Sequence, residues 1–217
     1  MTLSYVKTTD LPQVIPVFPL LGAMLLPRGV MPLNIFEPRY LNMFDDALSG
    51  DRLIGMIQPT GGDRARPDLA RIGCIGRITS FAETPDGRYL VSLTGICRFL
   101  IDRELQSQTA YRQVKVSYEP FGHDLKSESE DCGFERERFL SALKTYMKRR
   151  QLDVDWTAAS MAPLESLTNS LSMALPFEPA EKQALLEAIT VEDRLLALMS
   201  LLELDTADPD GGPTPLQ

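Results

Sequence analysis

The spacing of apolar residues changes from that of β-strands to that of α-helices near residue 119 of this 217-residue chain. Before that point, short runs rich in β-branched and aromatic residues are separated by turns, as in small β-barrels. After it, apolar residues recur every three or four positions, as on the buried faces of helices. The pattern predicts an α+β fold, with a small β-barrel and one short helix over residues 1–118 and an α-helical bundle over residues 119–204.

The first part contains six short apolar runs, which we predict to be β-strands. The runs lie at residues 14–18, 31–36, 53–57, 72–81, 89–99 and 112–118. The first two contain Pro16 and Pro32, which indicates edge or bulged strands because proline donates no backbone hydrogen bond. Between the fourth and fifth runs, the Pro-Asp-Gly sequence of residues 85–87 predicts a tight turn. Pro38 is typical of the first position of a helix.

The second part contains four apolar stripes at helical spacing, each of which predicts a helix. The stripes cover residues 139–147, 164–174, 179–189 and 195–202. Thr190 and Asp193 resemble a capping box before the last of them. The charge changes at the same boundary, from a net +2 over residues 1–118 to a net −10 over residues 119–217. Residues 205–217 are rich in Pro, Gly and Asp, which predicts a disordered tail.

Sequence motifs that supply catalytic chemistry are missing. The chain contains no G-x-x-x-x-G-K-[ST] phosphate loop, no G-x-G-x-x-G, no G-x-S-x-G and no H-E-x-x-H. The single histidine, His123, and the widely spaced Cys74, Cys97 and Cys132 form neither a metal-binding pattern nor a disulfide framework. We therefore expect no catalytic residue, no metal site and no cofactor. We expect Cys74 and Cys97 to be small apolar core residues.

The charge balance argues against nucleic acids and membranes as partners. The chain has 22 Lys and Arg against 30 Asp and Glu, a net charge of −8, whereas phosphate-binding surfaces concentrate basic residues. The apolar, uncharged stretch of residues 11–27 contains four prolines, which would break a membrane-spanning helix. Residues 1–10 resemble no targeting peptide. We therefore expect a cytoplasmic protein without membrane contact.

Residues 20–27, Leu-Leu-Gly-Ala-Met-Leu-Leu-Pro, are apolar although they lie between two predicted strands, where a polar turn is usual. If part of the segment is exposed, it forms an adaptable apolar surface for other polypeptides, in which Met24 is a flexible side chain. Alternatively, the segment folds back over an open end of the barrel, because a long apolar loop is unfavourable in water. The sequence leaves both alternatives open.

Eight segments are distinctive in their order and spacing. They are Val17–Leu20, Leu26–Leu33, Ile35–Tyr40, Ile72–Ile78, Pro85–Arg88, Leu93–Phe99, Leu175–Pro176 and Lys182–Glu187. Together they resemble the N-terminal, substrate-binding domain of Lon proteases, and most closely its stand-alone bacterial form, over about residues 12–204. Within them, Gly73, Gly76 and Gly95 are typical of close backbone approach in a small barrel.

The resemblance implies a PUA-like β-barrel followed by a C-terminal helical bundle. It also implies a non-catalytic module that recognises unfolded or client polypeptides. The candidate peptide-binding residues lie in the apolar segment and in the matched segment that follows it. They are Leu20, Met24, Leu25, Leu26, Phe36 and Tyr40.

The ATPase and Ser-Lys peptidase modules of Lon proteases have no counterpart in the sequence, so we expect no enzymatic activity. The expected partners are client polypeptides and a separate ATPase or protease. The alternatives are a PUA-like RNA or nucleotide binder, which the small net charge of residues 1–118 disfavours, and a hydrolase of a new type.

Overall fold

The computed structural model describes residues 5–63, 66–126 and 136–207. Within these ranges the strands are β1 Val14–Pro19, β2 Val30–Ile35, β3 Leu53–Ile57, β4 Pro59–Asp63, β5 Arg66–Leu69, β6 Ile72–Glu83, β7 Tyr89–Leu105 and β8 Arg112–Ser117. The α-helices are α1 Pro38–Ser49, α2 Arg136–Arg150, α3 Trp156–Met161, α4 Leu164–Ala174, α5 Pro179–Glu187 and α6 Val191–Ala207. Two 3₁₀ helices cover Thr8–Asp10 and Glu119–Leu125.

Six strands form one sheet in the order β2-β7-β6-β3-β1-β8, and β4 pairs with β5 as a separate hairpin. The long strand β7 also pairs with β8, so β7, β6, β3, β1 and β8 form a ring of pairings. Strand β2 pairs only with the first part of β7 and lies outside this ring. The α+β class is confirmed, but the sheet is not a clean barrel because β2 extends beyond the closed part.

The local signals in the sequence agree with the ends of several elements. Pro38 occupies the first turn of α1, as predicted. Residues 85–87 connect β6 to β7, and Gly87 has a φ of +79°, which explains the need for glycine. At the start of α6, the side chains of Thr190 and Asp193 accept hydrogen bonds from each other's backbone N–H groups at 3.0 and 3.2 Å. The capping box is therefore confirmed.

The second half of the apolar segment of residues 20–27 is buried, which contradicts the expectation of an exposed surface around Met24. Met24, Leu25 and Leu26 are only 2%, 1% and 0% exposed and belong to the main apolar cluster. Leu25 and Leu26 pack directly against the backbone of two glycines of the sheet, Gly76 and Gly95. A Cβ atom at Gly95 would overlap the carbonyl oxygen of Leu26, and one at Gly76 would lie 2.6 Å from Leu25 Cδ2. Residues 24–27 are therefore core, as in the second alternative that the sequence left open, whereas Leu21 is 66% exposed.

The helices after residue 119 share this core with the strands. Helices α2, α4 and α5 pack against α6, and their buried leucines join Met24, Leu25 and Leu26 in one apolar cluster. Within it, Arg194 of α6 donates hydrogen bonds to Asn169 Oδ1 at 2.8 Å and to the Leu185 carbonyl at 3.0 Å. Burial lowers the pKa of Arg194 to about 10. The division of the chain at residues 118 and 119 stays a prediction.

The predicted tail begins too early. Helix α6 continues to Ala207. Near its end, the Asp205 carboxylate accepts a hydrogen bond from Arg150 Nε at 3.0 Å and the Asp205 carbonyl accepts one from Arg149, which joins this part of α6 to α2. The rest of the predicted tail lies outside the described residues.

Cys74 and Cys97 are buried free thiols, as expected, and burial raises the pKa of both. Cys132 lies outside the described residues. None of the helices in the described part of the chain combines the length and the apolar character that a bilayer crossing needs.

Candidate functional site

A cavity of about 380 Å³ opens beside β2, the strand that lies outside the ring. We call it the edge groove. Its apolar lining includes Phe18, Leu20, Leu33, Phe36, Tyr40 and Tyr111, and its rim carries Glu37, Arg39 and Arg112. The groove lies where the end of β1, the edge of β2 and the first turn of α1 meet.

Three of the six predicted peptide-binding residues meet in the edge groove. Leu20 and Tyr40 lie in its wall, and Phe36, which is 63% exposed, also lines it. The other three, Met24, Leu25 and Leu26, are not among the groove residues, because the segment turns into the core after Leu21. The structure therefore brings together one half of the predicted site and buries the other half.

Tyr40 is fixed at the base of the groove by aromatic contacts. Its ring centroid lies 4.4 Å from that of Phe18, and the Arg39 guanidinium lies 4.6 Å from the centre of the Tyr40 ring. Burial raises the pKa of Tyr40. Because Pro38 begins α1 three residues after β2 ends, Phe36 lies on the short connection between the two elements and projects into solvent.

The rim of the groove carries paired charges. Arg39 forms an ion pair with Glu37 at 2.9 Å, and both side chains are about half exposed. Glu104 accepts from Arg112 at 2.6 Å and from Arg66 at 2.8 Å. The hydrogen bond from Arg112 is the main reason that the pKa of Glu104 lies below its usual range. Burial acts in the opposite direction but is outweighed.

A polar group also lies in the apolar wall of the groove. The Tyr111 hydroxyl donates a hydrogen bond to Asp46 Oδ2 at 2.7 Å. Burial, together with this contact, raises the pKa of Tyr111 to about 12. The single hydroxyl proton is thus committed to Asp46 at neutral pH.

A second cavity, of about 690 Å³, lies between the β4–β5 hairpin and α5. We call it the hairpin groove. It shares Pro59 and Pro67 with the edge groove, and Leu21, which is 66% exposed, lies in its wall. At this groove, the Gln58 side chain accepts a hydrogen bond from Gly22 N at 3.2 Å and donates one to the Pro179 carbonyl at 3.0 Å. It thereby joins the apolar segment to the start of α5. The sequence did not predict this groove, because the hairpin has no alternating apolar pattern.

The most highly connected polar cluster of the described residues centres on Arg98, which lines neither groove. Arg98 and Asp124 form a buried ion pair, and His123 Nε2 lies 3.0 Å from Arg98 Nη2 and 2.9 Å from the Ile189 carbonyl oxygen. His123 is exposed at the surface and contacts this buried structural pair from outside. No group of three His, Cys, Asp or Glu residues in ranges 5–63, 66–126 and 136–207 could hold a metal ion.

The grooves therefore offer apolar contact area and hydrogen-bonding groups.

Residues 14–203 match the family described as the ATP-dependent protease La (LON) substrate-binding domain. The chain belongs to this family. The match covers the substrate-binding domain, with no ATPase or protease domain.

Relatives and solved structures agree with this Lon family membership. Lon protease 2 of Myxococcus xanthus is 26% identical over 213 residues, covering 91% of this chain and 24% of its own length. The Lon protease of Dictyoglomus thermophilum is 28% identical over 207 residues, covering 87% of this chain and 24% of its own length. The chain thus spans about a quarter of the length of these curated relatives.

Two solved Lon N-terminal domains share the fold. The Lon N-terminal domain protein from Xanthomonas campestris has a TM-score of 0.61 at 24% identity and covers 86% of this chain and 97% of its own. The N-terminal domain of a Mycobacterium avium complex Lon protease has a TM-score of 0.63 at 19% identity and covers 88% of this chain and 98% of its own.

Proposed function

We propose that the chain is a non-catalytic module that binds exposed apolar segments of unfolded or client polypeptides in the edge groove. The observation that carries the proposal is the meeting of Leu20, Phe36 and Tyr40 in one apolar cavity with an exposed phenyl ring at its mouth. The family's description as a substrate-binding domain supports it. We also propose that the ring of five strands is the PUA-like barrel that the resemblance implies.

The physical basis is removal of apolar surface from water. Covering an exposed phenyl ring such as Phe36 is worth about 1.5–3 kcal/mol, and neighbouring apolar wall residues add to it. An apolar contact of this kind accepts many sequences, because burial has no directional requirement. A module that handles unfolded clients needs this tolerance.

The proposal assigns no reaction to the chain itself and leaves client processing to a separate ATPase or protease in the cytoplasm. The RNA-binding alternative has weaker support. The three arginines at or beside the groove, Arg39, Arg66 and Arg112, each form an ion pair with a glutamate, and the whole chain carries a net charge of −8. Sequence-independent RNA binding needs unneutralised basic groups interleaved with aromatic ones.

Phe36→Ala is expected to weaken binding of an unfolded client about tenfold, because burial of the phenyl ring is lost. The probe is fluorescein-labelled, reduced and carboxymethylated α-lactalbumin, and the measurement is fluorescence anisotropy. Phe81→Ala is the matched control, since Phe81 is also exposed but lies outside both grooves. Equal affinities of the two variants, or no binding by the unaltered protein, would contradict the proposed function.

A further inference from the structure

We propose that the bound polypeptide joins the sheet as a seventh strand, hydrogen-bonded to the free edge of β2. This inference rests on the proposed function and specifies the conformation and chemistry of the ligand. The occupant is an extended segment with apolar side chains at alternate positions and an acidic residue at one end.

The backbone edge of β2, rather than one of its faces, borders the groove. Five consecutive residues line the cavity: Pro32, Leu33, Asn34, Ile35 and Phe36. Successive side chains of a strand point to opposite faces, so one face alone would contribute every second residue. Consecutive lining residues therefore indicate that the main chain itself is accessible from the groove.

The pairing with β7 determines which backbone groups point outward. Gly95 N donates to the Gly29 carbonyl at 2.9 Å, which fixes the hydrogen-bonded positions of the antiparallel pair. Because these positions alternate, Met31, Leu33 and Ile35 bond to β7, whereas Pro32 and Asn34 face away from it. Pro32 has no backbone N–H, and at its position the pairing with β7 uses no N–H from β2.

The outward groups next to the groove are the N–H of Asn34 and the carbonyl oxygens of Asn34 and Pro32. Strand β2 has no second neighbouring strand among the described residues. An antiparallel strand can exchange two hydrogen bonds with Asn34 and donate one to the Pro32 carbonyl. Three main-chain hydrogen bonds hold an extended polypeptide without requiring a particular side chain.

The faces of β2 determine the side chains that the added strand needs. Leu33 and Ile35 pack against the main apolar cluster, whereas Pro32 and Asn34 are exposed. Directly opposite residues of paired strands share a face. Every second side chain of the occupant therefore faces the apolar wall formed by Phe18, Leu20 and Tyr40, and the intervening ones face solvent.

Charge favours an acidic residue near the C-terminal end of β2. The charged side chains that line this end of the edge groove and the adjoining cavity are Arg39, Arg66, Arg112, Glu37 and Glu104. Because Arg66 and Arg112 share Glu104, the two glutamates leave this set with a net charge of +1, in a chain whose total is −8. A second copy of β2 fits less well, because Val30–Ile35 contains no acidic residue and lacks one N–H at Pro32.

The test uses the full chain and a labelled peptide in which leucine alternates with threonine over eight positions and two aspartates follow at one end. Two further peptides carry N-methyl groups on all leucines or on all threonines. Strand addition predicts that one N-methylated peptide binds about tenfold or more weakly, because its main-chain donors face β2, while the other binds nearly as well as the parent. For antiparallel addition, the threonine set is the sensitive one.

The outcomes separate this inference from the proposed function. If the parent peptide binds and both N-methylated peptides bind equally well, strand addition is overturned while polypeptide binding stands. If the parent peptide and the unfolded client both fail to bind, the proposed function is overturned as well. Replacing the two aspartates with lysines is expected to weaken binding severalfold, and unchanged affinity would overturn the charge preference.

A pair of protein variants tests the same hydrogen bonds from the other side. Asn34→Pro removes the outward N–H, whereas Asn34→Thr changes the side chain and keeps the N–H, so Asn34→Pro is expected to bind the parent peptide about tenfold more weakly than Asn34→Thr. Thermal unfolding checks that both variants fold. Equal affinities overturn strand addition. A dimer that dissociates only in Asn34→Pro, measured by sedimentation velocity, would assign the edge to a second copy instead.

Discussion

Asp124→Ala is expected to lower the free energy of unfolding by about 3–5 kcal/mol, the typical cost of removing one partner from a buried ion pair. The Asp124 carboxylate accepts from the backbone N, Nε and Nη2 of Arg98 at 2.9, 3.0 and 2.9 Å. The Arg98 side chain is only 1% exposed, so the variant would leave a buried guanidinium without a counter-charge.

The loss is large because Arg98 also joins the sheet to the helices. Its guanidinium donates to the carbonyl oxygens of Leu186 at 3.1 Å and Ile189 at 2.9 Å, in and after α5. Without the Asp124 carboxylate, the side chain keeps its contacts with carbonyl oxygens, His123 and the Phe121 ring but has no anionic partner among them. Weakening them separates β7 from the connection between α5 and α6.

Urea denaturation followed by circular dichroism measures the change. Asp86→Ala is the matched control, because Asp86 also pairs with an arginine, Arg88, but both side chains are about half exposed. The control is expected to lose far less stability, since water already screens an exposed pair. Equal losses in the two variants would contradict the structural role of the buried pair.

Leu26→Ala is expected to lower the free energy of unfolding by about 2–5 kcal/mol, because it leaves a cavity in the core. Leu26 is 0% exposed and lies against the backbone of Gly95, which restricts collapse of the site. Leu21→Ala, five residues earlier in the same apolar segment, is the matched control. Leu21 is 66% exposed, so its replacement is expected to change stability by less than about 0.5 kcal/mol.

The same pair of variants separates the two interpretations of the apolar segment. If residues 24–26 are core, Leu26→Ala loses stability but binds the unfolded client normally at a temperature where it remains folded. If they are a binding surface, Leu26→Ala binds weakly and keeps its stability. Urea denaturation and anisotropy on the same preparations distinguish these results.

The elements that could be predicted from the sequence are those in which local pattern and tertiary environment agree. Strand β3 coincides with its predicted residues 53–57, because every residue of it is buried and apolar. Pro38 and Pro179 occupy the first turns of α1 and α5, where proline's missing N–H has no helical partner to lose.

Elements without such a pattern were not predicted. The β4–β5 hairpin begins Pro-Thr-Gly-Gly-Asp, where Gly61 and Gly62 have positive φ and no apolar residue repeats with a period of two. Helix α3 has six residues, too few to show a helical repeat, and depends on the Asp155 side chain capping Ala158 N at 3.0 Å. Both are set by short-range turn chemistry rather than by hydrophobic periodicity.

The candidate site was predicted in part because some of its residues are close in sequence and others are not. Phe36 and Tyr40 lie in one segment, so a single motif indicates both. Tyr111, Pro59 and Pro67 reach the edge groove only through the pairing of distant strands. In the same way, the sequence indicates close approach at Gly95 but not that Leu26, 69 residues earlier, fills the space.

The central claim, that the edge groove binds polypeptide, is tested most directly by mapping backbone amide chemical shifts during titration with the leucine–threonine peptide. We predict that the amides of Leu20, Asn34, Phe36 and Tyr40 shift and saturate together, while that of Met161, an exposed residue of α3 remote in sequence from the groove, stays unchanged. Saturating shifts confined to α3, with no change along β2 and the first turn of α1, would contradict the claim.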